Sequence, residues 1–421
     1  MNILVIGSGA REHSICWSIK KSKKCKKIFC VPGNAGIEKI AVCKNFDLQN
    51  KRNILNFCKK EKIDIVVIGP EQFLEEGVSD YLRSKNISVF GPSKKASQLE
   101  TSKSFAKSFL KRNNIKTANF CEFKSYELAT NYINSVNFPI VIKADGLAAG
   151  KGVIICKNIE DARLGLKNIM KKKKFGNAGN KIIIEEYLEG YEISFFAFFD
   201  KNSFLKLGYA LDHKRAFDKD EGPNTGGMGS FLPSKNISKR IENEILKKIV
   251  KPTFNGLKKE NIVYRGILFF GLMITKNGPF VIEYNVRFGD PECQTLLRNL
   301  KTDLLEIIDS NINDKLSEIN IRNGKQSVVC VVLASKGYPG KFKKNSVIKN
   351  LSNAQLIKGV EIFHAGTSAK NQSIVSSGGR VLSITSKAKT IKIARMQAYK
   401  AIKKINWSGG FFRKDIGLKN S

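Results

Sequence analysis

Four times in its first hundred residues the chain closes a short, largely apolar run with a glycine or proline turn. Ile3–Ile6 leads into Gly7-Ser8-Gly9, Ile28–Val31 into Pro32-Gly33-Asn34, Ile63–Ile68 into Gly69-Pro70-Glu71, and Ile87–Phe90 into Gly91-Pro92-Ser93. Short strands alternating with helices predict a doubly wound parallel sheet, whose ligands gather at the carboxyl ends of the strands. Any one turn could be structural, but the four together outline a binding edge. The first turn opens a helix, and free N–H groups at a helix start suit an anion. Glu12 stands where a dinucleotide fingerprint needs its third glycine, so a single phosphate fits better than a dinucleotide.

The middle of the chain carries a second kind of signal. Phe138–Ile142 and Val153–Ile155 are β-rich runs flanking Gly146-Leu147-Ala148-Ala149-Gly150-Lys151-Gly152, with Lys143 at the mouth of the loop. The spacing is not that of a P-loop, since three residues separate Gly146 from Gly150 and Gly152 follows Lys151. A glycine loop between antiparallel strands can cover a triphosphate with backbone N–H groups, or it can be a plain turn. Gln98–Asn114 and Asp161–Lys171 read as helices, Lys181–Glu185 and Ile193–Phe199 as strands. Further on, Asp212-His213-Lys214-Arg215 and Gly222–Gly229 form a polar, glycine-dense stretch, either a linker or an ordered binding loop. Ordering costs about 1–2 kcal/mol per residue, so ligand contacts are expected to help fix it.

Helix Lys239–Leu257 precedes a hairpin whose arms, Arg265–Thr275 and Phe280–Glu292, flank an Asn277-Gly278 turn. On the return arm Glu283 and Asn285 face the same way, about 6.5–7 Å apart along the strand. A Glu-x-Asn pair alone reads as a solvated face. Arg287 extends the alternation and Gly289-Asp290-Pro291 ends it, and oxygen ligands beside an arginine suit Mg²⁺ with phosphates. The outgoing arm, Ile267–Ile274, offers no metal-binding acid. Gln294–Asp309 then reads as one helix, and Val328–Ala334, Gly378–Thr385 and helix Ile391–Ile405 as a final α+β unit.

Composition narrows the function classes. The 421 residues exceed what one core usually supports, so two to four subdomains are expected. No apolar run approaches a membrane span and no signal peptide is evident, which makes a cytoplasmic location the expectation. Nine cysteines form no Cys-x-x-Cys pair, so neither zinc nor a disulfide framework is suggested. A net charge of +36 raises nucleic acid as a partner. However, 59 of the 73 basic residues are lysines spread end to end, as a drift toward Lys, Asn and Ile would leave them, so nucleic acid is not expected.

Several of these segments, taken in order, resemble the glycinamide ribonucleotide synthetase (phosphoribosylamine–glycine ligase) family of ATP-grasp enzymes. They are Gly7–His13, Pro32–Gly36, Lys143–Val153, Asp212–Arg215, Gly222–Gly229, Ile282–Glu292 and Arg413–Gly417. The resemblance implies an α/β and α+β chain: a parallel-sheet domain over 1–101, a two-lobed ATP-grasp domain over 102–313 with a lid near 119–189, and a small α+β domain over 326–421. It implies ATP and Mg²⁺ (or Mn²⁺) as cofactors, glycine and 5-phosphoribosylamine as substrates, a glycyl phosphate intermediate, and a monomer without membrane or nucleic-acid partners. The nucleotide would be held by Lys103, Lys143, Gly150, Lys151, Gly152, Glu185, Glu186, Tyr187, Leu188, Glu192, Arg215 and Asn224. Glu283 and Asn285 would hold metal. The substrates would meet Gly7, Gly9, Arg11, Asn34, Glu71, Asp212, Arg287 and Asp290, with Arg287, Asp212 and Lys143 at the chemistry. The rival readings are another ATP-grasp carboxylate–amine ligase and a nucleic-acid binding protein.

Overall fold

A computed structural model describes residues 1–148 and 152–418; Gly150 and Lys151 lie outside the described residues. The N-terminal unit is a parallel sheet of β1 (Asn2–Gly7), β2 (Lys27–Pro32), β3 (Val42–Cys43), β4 (Ile65–Ile68) and β5 (Ser88–Phe90), in the order β3-β2-β1-β4-β5. β1 pairs with β2 on one side and β4 on the other, so chain order reverses there. The crevice at such a reversal is where doubly wound sheets take ligands, and the turns after β1 and β4 carry Gly7–Gly9 and Glu71.

A smaller antiparallel sheet, β6 (Phe120–Phe123), β7 (Ile140–Ala144), β8 (Val153–Cys156) and β9 (Ile182–Glu186), runs in the order β6-β9-β7-β8. It packs on its own core of Ile140, Ile142, Ala162, Leu166, Ile182 and Ile184 and forms a separate small lobe, where the lid was expected. The body is built on β10 (Tyr191–Phe199), β11 (Phe204–Asp212), the short hairpin β12 (Arg215–Phe217) and β13 (Glu221–Asn224), β14 (Gly229–Leu232), and the paired β15 (Gly266–Thr275) and β16 (Gly278–Asn285). Period-two alternation sorts the β10 phenylalanines. Phe195 and Phe199 join one buried core with Leu4 and Ile6, while Phe196 and Phe198 join another with Ile3 and Val5. The body therefore shares both of its cores with the N-terminal sheet.

The C-terminal unit contains β17 (Ser327–Ser335), β18 (Val347–Ile348), β19 (Val360–His364), β20 (Thr367–Lys370), β21 (Ser373–Ser376), β22 (Arg380–Ala388) and β23 (Gly410–Phe411), with helix Ile391–Lys404 packed against β17 and β22. It is not a separate appendage. β14 pairs with β17, from Gly229↔Val331 to Leu232↔Val328, so a single nine-stranded sheet runs from the body into it.

Two expected helices are broken, each by a capping side chain. Gln98–Asn114 divides at Ser102, whose hydroxyl accepts from Phe105 N and starts helix Lys103–Arg112. Gln294–Asp309 divides into Glu292–Asn299 and Leu304–Ile312, the second capped by Asp303.

Candidate active site

A cavity of about 980 Å³ opens between the lid, the body and the ends of the N-terminal strands. Its lid end is lined with cations. Lys103 Nζ donates to Gly146 O at 3.0 Å, tying the glycine loop to the start of helix Lys103–Arg112. Lys143, at the end of β7, is buried and pairs with Glu185 Oε2 at 2.9 Å while donating to Ile282 O at 3.2 Å. Lys107 reaches the same carboxylate oxygen at 3.2 Å and Thr117 Oγ1 at 2.6 Å. Burial pushes Lys107 down to about 8 even though Glu185 favours its charge. Lys107 is absent from the sequence reading, although its spacing of four from Lys103 puts both on one helix face.

Glu185 Oε1 is buried without a hydrogen-bond partner among the described residues, which leaves an acceptor beside the cavity. Glu186, Tyr187 and Leu188 line the same wall, as do Gly152, Arg215 and Asn224. Arg215 and Asn224 are opposite each other across β12 and β13, and Arg215 Nη1 donates to Gly222 O at 2.8 Å. Glu192 also lines the cavity, but it is ion-paired with Lys214, which the sequence reading names in the Asp212–Arg215 stretch without giving it a role. Burial works against the charge of Lys214, yet Glu192, Asp212 and Glu283 together raise it well above the ordinary lysine range.

Glu283 and Asn285 both face the cavity from β16, 3.4 Å apart between Glu283 Oε1 and Asn285 Nδ2. Burial opposes ionisation of Glu283, but Lys214, Lys143 and Lys103 outweigh it and hold its carboxyl below the usual range. No group of three or more His, Cys, Asp or Glu residues suited to a metal occurs among the described residues. One carboxylate and one amide oxygen are hard donors, and that pair fits a cation whose remaining ligands are phosphate oxygens and water.

Arg287 departs from expectation. Its guanidinium is already gripped: Nε by Glu71 Oε2 at 2.7 Å, Nη2 by Glu100 Oε1 at 2.7 Å and Asn285 Oδ1 at 3.3 Å, and Nη1 by Phe288 O at 3.2 Å. Glu71 thus faces an arginine of the body. Burial opposes its ionisation, but Arg287 and Arg11 overcome this and hold it at about 2. Glu100, unremarked in the sequence, is pushed up to about 7 by burial despite Arg287.

The N-terminal turns are also partly self-occupied. Glu12 accepts Gly9 N at 2.7 Å and Arg11 Nε at 2.6 Å, so the amide expected to meet a phosphate is taken. Gly7 and Gly69 make room for that carboxylate: a Cβ on Gly69 would lie 2.0 Å from Glu12 Oε1, and Gly7 has φ +133°. Asn34 is saturated, donating to Ser8 O and His364 O and accepting from Gly36 N and Ile37 N. Its amide shapes the turn and has nothing left for a ligand. Arg11 does line the cavity, donating to Phe288 O at 3.2 Å.

Acids gather at the far end. Ser194 Oγ is 3.2 Å from both Asp212 Oδ1 and Glu292 Oε1, and burial, with Asp212, pushes the Glu292 carboxyl up to about 8. Asp290 accepts from Gln294 Nε2 at 2.8 Å and pairs with Arg380 Nη2 at 3.2 Å. The glycine-dense loop lies against it, ordered by protein groups. Thr225 N and Oγ1 donate to Lys214 O, Gly226 N donates to Tyr338 Oη at 3.1 Å, and Gly226 O accepts from Arg380 Nη1 at 2.8 Å. The ligand contacts expected to order this loop are therefore not needed to explain its order.

The chain is similar to known proteins in sequence and in fold. The chain matches the family models described as "Phosphoribosylglycinamide synthetase, N domain" over residues 1–100, "ATP-grasp (A) domain" over 101–293 and "C domain" over 328–419. It is 46% identical over 416 residues to the phosphoribosylamine–glycine ligase of Caldanaerobacter subterraneus subsp. tengcongensis, covering 99% of both chains. The crystal structure of phosphoribosylamine–glycine ligase from Thermotoga maritima superposes with a TM-score of 0.87 at 32% identity, over 99% of this chain and all of that one. At the level of fold alone, the biotin carboxylase domain of Hydrogenobacter thermophilus 2-oxoglutarate carboxylase, solved with MgADP, matches with a TM-score of 0.74 at 15% identity over 98% of this chain and 91% of that one.

Proposed function

Because the chain belongs to the phosphoribosylglycinamide synthetase family, we propose that it uses ATP to join glycine to 5-phosphoribosylamine, giving N1-(5-phosphoribosyl)glycinamide, ADP and phosphate. This is the second step of purine synthesis. The observation that carries the reading is one continuous cavity with buried lysines at the lid, Glu283 and Asn285 at its floor, and Arg287 and clustered acids beyond.

A carboxylate is a poor electrophile. Glycine's carboxylate oxygen attacks the γ-phosphorus, ADP leaves, and the resulting glycyl phosphate carries a good leaving group. The amine of phosphoribosylamine then attacks the carbonyl carbon; the C–N bond forms, the C–O bond to phosphate breaks, and the amine's proton leaves with phosphate or solvent. Such transfer depends mainly on positioning and on fixed charge aimed at developing charge. Lys103 and Lys143 face the phosphates, with Lys107 holding Glu185 in place. Glu185–Leu188 form the adenine wall, Glu192 borders the ribose, and Arg215 and Asn224 border the phosphates from the opposite side.

Glu283 and Asn285 would hold a divalent cation, magnesium or manganese, which when bound neutralises phosphate charge. Their present contacts, 3.8 Å to Lys214 and 3.3–3.4 Å around Asn285, are long enough to exchange for a cation. Arg287 presents a guanidinium at the junction, matched to a carboxylate by its fork, and Asp212 offers a carboxylate to glycine's ammonium. Gly7, Gly9, Arg11, Glu71 and Asp290 border the phosphoribosyl group. The test is release of ADP with glycine, with and without phosphoribosylamine generated in situ. A glycine-dependent release completed by amide formation supports the reading, and indifference to glycine overturns it.

A further inference from the structure

Arg380 opens β22 in the C-terminal unit, nearly a hundred residues beyond the rest of the site, yet it lines the same cavity. One of its nitrogens, Nη1, donates to carbonyls of two different loops: Gly226 O at 2.8 Å, Gly227 O at 3.4 Å, and Asp290 O. The other, Nη2, pairs with the Asp290 carboxylate at 3.2 Å. Tyr338, from the same unit, accepts Gly226 N at 3.1 Å. The Gly226–Gly227 backbone is packed too closely for side chains. A Cβ on Gly226 would lie 3.0 Å from Arg380 Cζ, and one on Gly227 would lie 2.5 Å from Pro291 Cδ. A planar guanidinium with fixed donors is suited to holding several acceptors in register; a lysine ammonium is not.

The position of Asp290 shows which half of the site this clasp serves. Asp290 Oδ2 lies 3.5 Å from where a Cβ on Gly9 would stand, so the clasped carboxylate abuts the first turn of the N-terminal sheet. The nucleotide lysines are at the lid end, and the Gly9 turn is the end assigned to the phosphoribosyl group.

We propose that Arg380, assisted by Tyr338, is a positioning residue for the second half-reaction: it fixes Asp290 and the Gly226–Gly227 backbone so that phosphoribosylamine meets glycyl phosphate before water does. The inference rests on the ligase reading above. When the clasp is lost, glycyl phosphate still forms, but water attacks its carbonyl carbon, returning glycine and phosphate. The net reaction is then ATP plus water to ADP plus phosphate, with no amide.

The test measures ADP and amide product in parallel in the full-length chain, at saturating glycine with phosphoribosylamine varied. Arg380→Ala is expected to raise KM for phosphoribosylamine by about tenfold or more, a loss in keeping with misplacement of a reacting group by a fraction of an ångström. KM for ATP is expected to stay within about twofold, and ADP should exceed amide. Added guanidinium ion should restore part of the coupling in Arg380→Ala and change nothing in the unaltered enzyme. Tyr338→Phe, which removes only the acceptor hydroxyl, should show a milder form of the same uncoupling. An Arg380→Ala enzyme with an ADP-to-amide ratio of one and normal kinetics would overturn the inference. So would an equal rise in KM for all three substrates with a lowered melting temperature, the mark of a merely structural arginine. If the unaltered chain makes no amide at all, the ligase reading itself fails.

Discussion

Glu71 and Glu100 hold the guanidinium of Arg287 where sequence reasoning places glycine's carboxylate, so glycine must either share that fork or displace one acid. Arg287→Lys cannot bridge Glu71, Glu100 and Asn285 together, and we predict about a tenfold rise in KM for glycine with KM for ATP unchanged. Unaltered glycine saturation in steady-state kinetics would refute that role. At the floor, Glu283→Gln keeps the shape but removes the charge that three lysines face; kcat should fall by about 100-fold or more with the circular dichroism spectrum retained. Near-normal turnover at saturating Mg²⁺ would refute the metal assignment. Glu292 and Glu100, pushed up to about 8 and about 7 by burial, retain protons in the folded state that the unfolded chain gives up near 4.5. Their contribution to stability is therefore complete below about pH 4.5 and is lost as pH rises through 7 and 8. Glu71, held at about 2, behaves oppositely: its contribution is present above 4.5 and is lost as pH falls toward 2. Glu292→Gln should therefore match the unaltered protein in thermal melts near pH 4 and exceed it by a margin that widens from about pH 4.5 to 8 and then stays constant. Parallel curves would show that Glu292 does not hold the proton.

Strands β1, β2, β4 and β5 of the N-terminal sheet were legible because each is a short apolar run closed by a turn, whereas the two-residue edge strand β3 was not read, and the β15–β16 hairpin was legible because Asn277-Gly278 announces it. Strand alternation put Glu283 and Asn285 on one face, but Arg287, the Gly289-Asp290-Pro291 turn and the family resemblance were needed to read that face as a metal site. Helix ends were less legible: Ser102 and Asp303 interrupt helical patterns by capping, and their apolar neighbours do not reveal it. Lys107 could have been found from its spacing to Lys103. Glu100, Tyr338 and Arg380 could not, since each meets the site only through tertiary packing. The glycine-dense loop shows the same limit, because its order comes from Thr225, Tyr338 and Arg380. Arg380→Ala should accordingly raise amide hydrogen exchange across 222–229 while leaving β10 and β15 protected. Unchanged exchange there would show that the Thr225 contacts suffice.

Across the whole molecule, one sheet runs from β16 to β19 and joins the ATP-grasp body to the C-terminal unit through β14 and β17. Ending the chain after residue 325 would strip β14 of β17, leaving it paired only with β11, and uncover Phe231, which packs in the core of that unit. Such a fragment should aggregate or melt well below the full chain, as an unpaired edge strand and a bared core require; an equally stable monomeric fragment would contradict the shared-sheet architecture. The +36 charge belongs to this scale too. No helix among the described residues is long and apolar enough to cross a membrane. The cations that matter to the site, Lys103, Lys107, Lys143, Lys214, Arg287 and Arg380, each meet a carboxylate or a backbone carbonyl at the cavity. Activation of glycine by ATP in this cavity, and its transfer to phosphoribosylamine, is measured most directly by following ADP and amide together as each substrate is withheld. One ADP per amide is expected with all three substrates present, and loss of ADP release when glycine is omitted. ADP release that continues unchanged without glycine, or no amide when all three are supplied, would contradict it.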